Sequence, residues 1–436
     1  MKPTIGIRRE DKNKWERRVP LTPEHVKELI DNDGMEIYLQ PSPIRVFSDQ
    51  AFVQAGAGIE EDLSACPIIF AVKEIPVDFF QPGRTYVFFS HVIKGQKHNM
   101  PMLKRMMELK CNLIDYEKVV DEKGWRLIFF GRHAGLAGMI DTLWALGQRL
   151  DWEGVTTPLG EIKNAYRYET LAEAEASISE VGERIRKGDL PESLTPLIFG
   201  VTGYGNVSKG AQEILDLLPF QQIEPEDIFS LIERSDFSRN NIYKAVFKEE
   251  HMVEPSASEN KFDLQDYYDH PQKYRSQFER YIPHLTVLVN CIYWDERYPR
   301  LVTKRFLKGL FDEGKDSRLR VIGDISCDIE GSIECTVKET QPDNPVYVYN
   351  PSDGQVVDGY EGTGVTILAV DNLPCEISRE ASLDFSQVIK PFVPQIARAD
   401  FSVGFDELAL PAPIKNAVIL HHGELTPDYR YIRGFL

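Results

Sequence analysis

The stretch Thr195–Gly210, TPLIFGVTGYGNVSKG, places an apolar run, a glycine turn and the start of an amphipathic segment in that order. The run PLIFG predicts a buried strand, Gly203 and Gly205 a tight turn, and NVSKGAQEILDLL a helix. A strand, a turn without side chains and a helix N-terminus together make the cradle in which a dinucleotide fold holds its pyrophosphate. Ser208 stands where a third glycine is usual; that position serves helix–strand packing, for which another small residue suffices. An acid about 20 residues further on is expected at the adenosine ribose. Glu224 lies 224 − 205 = 19 residues past Gly205, with Glu226 and Asp227 beside it. An acid there favours NAD over NADP, because it repels a 2′-phosphate. A glycine-rich turn also occurs without any ligand, so the reading rests on the strand, the helix and the spaced acid taken together.

The chain around this motif has 436 residues, too many for one ordinary core and enough for two domains. Its 42% apolar and 27% charged residues match a globular protein, which excludes a disordered or fibrous chain. The net charge of −18 opposes sequence-independent binding to phosphate backbones, so nucleic acid is not an expected partner. Small anions are not excluded, since a few buried arginines make a locally positive crevice. No apolar run approaches the roughly 20 residues of a membrane span, and MKPTIGIRRE has no signal-peptide core; the expectation is a cytoplasmic protein without a membrane partner. Six scattered cysteines form no C-x-x-C pair and no metal-ligand spacing, so they read as reduced thiols with no metal site.

Upstream, short β-rich runs at Thr4–Ile7, Glu36–Leu39, Ile68–Val72, Tyr86–Phe89 and Leu127–Phe130 alternate with the helical patterns TPEHVKELI and MPMLKRMMELK. Such alternation implies a mainly parallel, doubly wound sheet, hence an α/β fold. Thr22-Pro23 is a good helix start, a capping hydroxyl followed by proline at the first helical position. AGLAGMIDTLWALGQRL reads as a long inter-domain helix whose small residues allow close packing, and a polar helix follows over about Tyr168–Arg186. A second set of strands is expected at Leu197–Phe199, Thr286–Asn290 and Arg320–Ile325, with Asp236–Pro283 as an insertion of undefined structure. The helical pattern SREASLDFSQVIKPFVPQIA follows GYEGTGVTILAVDNLP.

Three clusters in the first third carry unusual chemistry: WERR at Trp15–Arg18, VKEIP at Val72–Pro76 and FFSHVIKGQ at Phe88–Gln96. Lys73 and His91 each follow a strand-like run, and side chains at the carboxyl ends of neighbouring parallel strands meet in the crevice where such sheets bind ligands. A lysine desolvated there exchanges protons near neutrality, as histidine does. Singly, each residue also has a bland reading: a solvated lysine paired with Glu74, a structural histidine, and an Arg18–Glu16 surface pair worth little.

Jointly the pattern is specific. IGIRREDKNKWERRVPLTPEHV, AVKEIP, YVFFSHVIKGQ, LIDYEKVVDEKGWR, FFGRHAGLAGM, TGYGNVSKGAQEIL, NCIYW, DISCDIEGSIE and VDNLP run colinearly along nearly the whole chain. In these motifs the chain resembles the lysine-ketoglutarate reductase and lysine-forming saccharopine dehydrogenase family, relatives of alanine dehydrogenase and transhydrogenase. The resemblance implies two Rossmann-like doubly wound domains with a cleft between them. Residues 1–133 would begin the substrate domain, 134–340 would form the NAD(P)-binding domain with the insertion at about 236–283, and 341–436 would complete the first domain. It implies that an NAD or NADP cofactor serves the interconversion of lysine plus 2-oxoglutarate with saccharopine, and that Lys73 and His91 are the acid–base pair. Arg18, Gln96, Arg126 and Phe130 would line the substrate site with Ser326, Cys327 and Asp328 near it; Glu16, Glu74 and Glu117 would be supporting carboxylates. Asn206, Val207, Glu224, Val370, Asp371, Asn372 and Leu373 would contact the cofactor.

Cys327 stands where relatives often have alanine, and Arg132-His133 occupy a variable pair. Many reductase-type relatives continue into a second enzyme half, whereas this sequence ends at Leu436; the expectation is a single reaction step. The resemblance leaves open NAD against NADP and the oligomeric state. Two other functions are weighed beside it: an amino-acid dehydrogenase of the alanine dehydrogenase kind, and a non-catalytic NAD(P)-binding regulator.

Overall fold

A computed structural model describes residues 2–234, 237–257, 261–312 and 317–436. They form two compact units, Met1–Phe130 with Ser378–Leu436, and Gly131–Ile377. The chain therefore rejoins its first unit at Ser378. The expected boundary at 341 is too early, because residues 346–368 contribute three strands to the second sheet.

The first unit is built on β1 (Thr4–Ile7), β2 (Glu36–Leu39), β3 (Gly58–Ile59), β4 (Ile68–Phe70), β5 (Thr85–Phe88) and β6 (Asn112–Asp115). All are parallel, in the order β3-β2-β1-β4-β5-β6, and the antiparallel strands Val418–His421 and Glu424–Leu425 extend the sheet beyond β6. The central strands β4, β5 and β6 are buried along their whole length, as parallel strands covered on both faces must be. Helices α1 (Pro23–Asp33), α2 (Asp49–Gln54) and α3 (Met100–Glu108) make the crossovers. Thr22 caps α1 through its hydroxyl, and Gly34 at φ 65° ends it in a left-handed turn. The helix Ser378–Ile389 returns across the chain: its Ser382 and Ser386 hydroxyls accept the backbone N–H of Val19 at 3.1 Å and of Thr22 at 2.9 Å. The strand order reverses between β1 and β4, so the loops after these two strands open a crevice at their carboxyl ends. The expected strand at Leu127–Phe130 is absent; Asp121–Gly124 turns the chain, and only Arg126 forms a bridge, to Val120.

The second unit opens with α4 (Gly131–Trp152) and α5 (Leu171–Arg186), followed by β7 (Ile198–Thr202), α6 (Asn206–Leu215), β8 (Phe220–Ile223) and β9 (Ile242–Phe247). Among the described residues, strands β10 (Val253–Pro255) and β11 (Tyr274–Ser276) pair only with each other. The sheet continues with β12 (Val287–Asn290), β13 (Val321–Asp324), β14 (Val346–Tyr349), β15 (Val356–Asp358) and β16 (Val365–Leu368). Its order is β15-β14-β16-β13-β12-β7-β9-β8, parallel except for β14 against both neighbours. The expected insertion at 236–283 thus begins too early: β9 lies inside that range yet is a mostly buried strand paired with β7 and β8, and only the part after it leaves the sheet. Asp236 and residues 258–260 of that range lie outside the described residues.

Helix α4 is buried on nearly every side, as its all-round apolar sequence requires, and it crosses α6 at glycines. A Cβ on Gly135 would stand 2.0 Å from the Val207 carbonyl oxygen, and one on Gly210 2.1 Å from that of Arg132. The close packing expected of the third fingerprint position is therefore carried by Gly210, while Ser208 is fully buried and accepts from the Gln212 amide at 3.0 Å.

Candidate functional site

In the first unit the loop after β1 brings Glu10, Glu16 and Arg18, the loop after β4 brings Lys73 and Glu74, and the loop after β5 brings His91. Glu10 is buried and its carboxylate accepts the N–H of Val72 at 2.7 Å and of Lys73 at 2.9 Å, which fixes the backbone that carries the lysine. Burial in a poor dielectric, with Glu16 nearby, pushes the Glu10 carboxyl up to about 7 against those two hydrogen bonds. Burial also lowers the Lys73 ammonium, and the Arg18 charge lowers it further; Glu16 and Glu74 act in the opposite direction. A lysine so placed gives up its proton more readily than one in water.

His91 sits in the left-handed region at φ 50°, a conformation that costs a non-glycine residue roughly 1–3 kcal/mol. The geometry aims its Nδ1 at Glu74 Oε1, 2.6 Å away, while Lys12 Nζ approaches the other oxygen at 3.1 Å. Burial alone would raise the Glu74 carboxyl, but the His91 hydrogen bond and the charges of His91 and Lys12 outweigh it and hold Glu74 well below the usual carboxylate range. Next to His91, the Ser90 N–H and hydroxyl both donate to the buried Asp115, and the Glu117 N–H binds its other oxygen at 2.8 Å. This ties the ends of β5 and β6 together behind the imidazole.

Arg18 and Glu16 are both buried and paired through two parallel bonds, Nε to Oε1 at 2.7 Å and Nη2 to Oε2 at 2.6 Å, with the guanidinium 4.5 Å over the Phe130 ring. The surface-pair alternative is excluded by that burial. Glu16 occupies the Nε–Nη2 edge of the Arg18 guanidinium, and the Arg18 charge lies close enough to Lys73 to lower its proton affinity. Arg126 is exposed and stands 3.6 Å from Glu117, and Gln96 is exposed on the loop after His91.

In the second unit the strand order reverses between β7 and β12, and the glycine turn lies at that point. Gly203 adopts φ 83°, a backbone conformation that favours glycine, and a Cβ on Gly205 would point into open space. Gly205 precedes helix α6 and provides no side-chain cap, so the first turn offers the N–H groups of Asn206 and Val207 toward an anion. A cavity of about 290 Å³ opens beside Gly203 and Gly205, walled by Tyr204, Glu249, Tyr268 and Trp294 among others.

Glu224 is not among those walls. It follows β8, the edge strand, whereas β9 lies between β8 and β7; the acid beside the turn is Glu249, two residues past β9. Counting along the sequence misses this because the interposed strand shows only in the sheet order. Ser326 donates to the Ile292 carbonyl at 2.5 Å, and Cys327, at φ 55°, donates to that of Ala369 at 3.0 Å with its thiol pushed up by burial. Behind them Asp324, pushed up to about 6 by burial, accepts from Thr336, Asn290 and the Cys327 N–H. Asp328 lies on the same loop. Val370 and Leu373 are buried and Asp371 and Asn372 lie more openly, all in this unit. Sequence reading missed Glu10, Glu249 and Asp324; for Asp324 the available signal was an acid at the end of the apolar run VIG. Among the described residues there is no group of three metal-ligating side chains, and no helix is long and apolar enough to cross a membrane.

Residues 6–137 match the alanine dehydrogenase/PNT N-terminal domain and residues 253–428 the alanine dehydrogenase/PNT C-terminal domain. An α-aminoadipic semialdehyde synthase of Arabidopsis thaliana is 40% identical over 98% of this chain and 41% of its own length. The chain thus spans less than half of that relative. A saccharopine dehydrogenase [NAD(+), L-lysine-forming] of Emericella nidulans is 27% identical over 87% of this chain and 89% of its own. Among solved structures, an L-alanine dehydrogenase superposes with a TM-score of 0.63 at 18% identity, covering 99% of both chains, which is a likeness of fold.

Proposed function

Because the chain belongs to the alanine dehydrogenase/PNT family, in the group of the α-aminoadipic semialdehyde synthases and saccharopine dehydrogenases, we propose that it is an NAD(P)-dependent oxidoreductase interconverting L-lysine plus 2-oxoglutarate with saccharopine. The observation that carries this reading is the half-buried Lys73, its proton affinity lowered by desolvation and Arg18, one residue from the carboxylate that hydrogen-bonds His91. A bound nicotinamide would supply hydride to the imine carbon, and the uncapped turn Gly203–Val207 suits its pyrophosphate.

Lys73 and His91 supply the proton traffic. Joining the ε-amine of lysine to the keto carbon of 2-oxoglutarate requires a proton to leave the nitrogen and one to reach the carbinolamine oxygen before it departs as water. Lys73, its ammonium lowered by desolvation, accepts the proton from the nitrogen, and His91, with Nδ1 held by Glu74, presents Nε2 to deliver one to the oxygen. Glu10 holds the Lys73 backbone in place through two hydrogen bonds. Arg18, paired with Glu16, lowers the proton affinity of Lys73 by its charge.

The test is oxidation of NADH, and separately NADPH, by the purified protein with lysine and 2-oxoglutarate, with the product identified by mass. Lysine-dependent formation of saccharopine supports the reading. Reduced cofactor consumed only with pyruvate and ammonia would replace it with an amino-acid dehydrogenase of the alanine dehydrogenase type, and binding without turnover on either substrate set would replace it with a regulator.

A further inference from the structure

We infer that Asp141 and Glu376 share a proton and act as a positioning pair, holding the segment Val370–Leu373 on helix α4 so that the second unit binds its nucleotide; the inference rests on the cofactor reading above. Both side chains are buried within that unit. Asp141 Oδ1 accepts the Ala165 N–H at 2.7 Å, and Glu376 Oε2 accepts the Tyr166 N–H at 3.3 Å. The remaining oxygens, Asp141 Oδ2 and Glu376 Oε1, meet no N–H or O–H group of the described residues, and the two carboxyls are bonded to each other. An ionised carboxylate only accepts, so a bond between two carboxyls exists only while at least one of them carries a proton.

The pair sits where the segment is packed. Leu373 opens the single turn Leu373–Cys375, and the Glu376 N–H donates to the Leu373 carbonyl at 3.0 Å, which puts the acid and the leucine on one short piece of backbone. On α4, Asp141 follows Gly138 by three residues and shares its face. A Cβ on Gly138 would stand 3.0 Å from Leu373 Cδ1 and 2.7 Å from Ile325 Cγ1, so the leucine lies directly against the helix backbone. The charged groups on the elements packed against α4 have other partners: Arg167 bonds the Tyr166 hydroxyl at 3.2 Å, Glu161 pairs with Arg184, Glu213 with Arg132, and Asp324 accepts from Asn290 and Thr336. Lys209 is exposed, and Cys375 is buried in the turn that carries Leu373. On α4 itself Arg149 is held by Glu153 at 2.7 Å, and His133 is buried about two turns before Asp141. Burial raises both carboxyls, and the like charge of Asp141 raises Glu376 further, against the N–H bonds of Ala165 and Tyr166. The bond between the two acids is therefore complete at low pH and is lost as the pH rises through the raised values.

The experiment is to measure the NADH and NADPH dissociation constants by cofactor fluorescence, without substrate, for the wild type, D141N and E376Q from about pH 6 to about pH 9.5, a span reaching past the values documented for buried carboxyls. Either amide keeps the bond at every pH, because its NH2 group donates to the partner carboxylate while its oxygen still accepts the backbone N–H. Whichever nucleotide binds, the wild type is expected to lose at least about fivefold in affinity as the pH rises, and each variant to stay within roughly twofold of its own value at the acid end. Urea unfolding over the same range, without nucleotide, separates positioning from stability alone: wild-type stability that falls with pH while nucleotide affinity holds overturns the inference. A wild-type loss of affinity that the variants share also overturns it, since other groups then cause the loss. If neither variant folds, the wild-type profile decides, and a flat one overturns the inference while leaving the cofactor reading intact. Failure of both nucleotides to bind at any pH overturns the cofactor reading and this inference with it.

Discussion

Replacing Glu10 by glutamine separates its electrostatic from its positioning role. The carboxyl has an ordinary value of 4.5 and is pushed up to about 7 by burial, so in the folded protein its ionised form is disfavoured relative to the unfolded chain. A raised carboxyl contributes stability that is fully present below its unfolded pKa and is lost as the pH rises through the folded one. The difference of about 2.5 pH units corresponds to about 3 kcal/mol lost between roughly pH 4.5 and pH 7. Glutamine cannot ionise, so Glu10→Gln should gain on the wild type by up to about 3 kcal/mol across that window, whatever its offset at low pH. The offset itself should be unfavourable, because one of the two N–H groups at Val72 and Lys73 then faces an amide and loses its acceptor, at about 1–3 kcal/mol. Urea unfolding of both proteins across that window measures the difference. A stability gap that stays constant with pH would refute the argument that Glu10 is a desolvated carboxyl. Since the same change loosens the Lys73 backbone, kcat should fall while NADH affinity is retained.

Lys73→Met should lower kcat by about 10²-fold or more with cofactor affinity unchanged, and stopped-flow turnover beside a binding titration checks both. Glu74 is held low by His91 and Lys12, so its contribution is present above the usual carboxylate range and is lost as the pH falls below about 4.5. Glu74→Gln should therefore cost about 1–3 kcal/mol near neutrality and progressively less in acid, as urea unfolding at neutral and at acid pH would report. Gly210→Ala would drive a methyl to 2.1 Å from the Arg132 carbonyl; overpacking of about 1–3 kcal/mol should exceed the roughly 1 kcal/mol of helix propensity gained and lower the Tm by calorimetry.

The α/β class, the glycine turn, the long helix of small residues and the clusters bearing Lys73 and His91 were legible in the order of residues. These are local signals: a period, a turn chemistry, a run of apolar residues ending at a charged one. That order also marked Ser378–Ile389 as helical, but the partners of that helix, the N–H groups of Val19 and Thr22, lie some 360 residues away in sequence and are set by packing alone. Tertiary structure alone decided that Arg18 spends its fork on Glu16, that Glu10 rather than solvent receives the Lys73 N–H, and that β9 stands between β7 and β8. The last point moved the acid at the turn from Glu224 to Glu249. Spacing along a chain measures how far a strand is in residues, while strand order depends on which crossover buries the apolar faces best, and that is a property of the whole sheet.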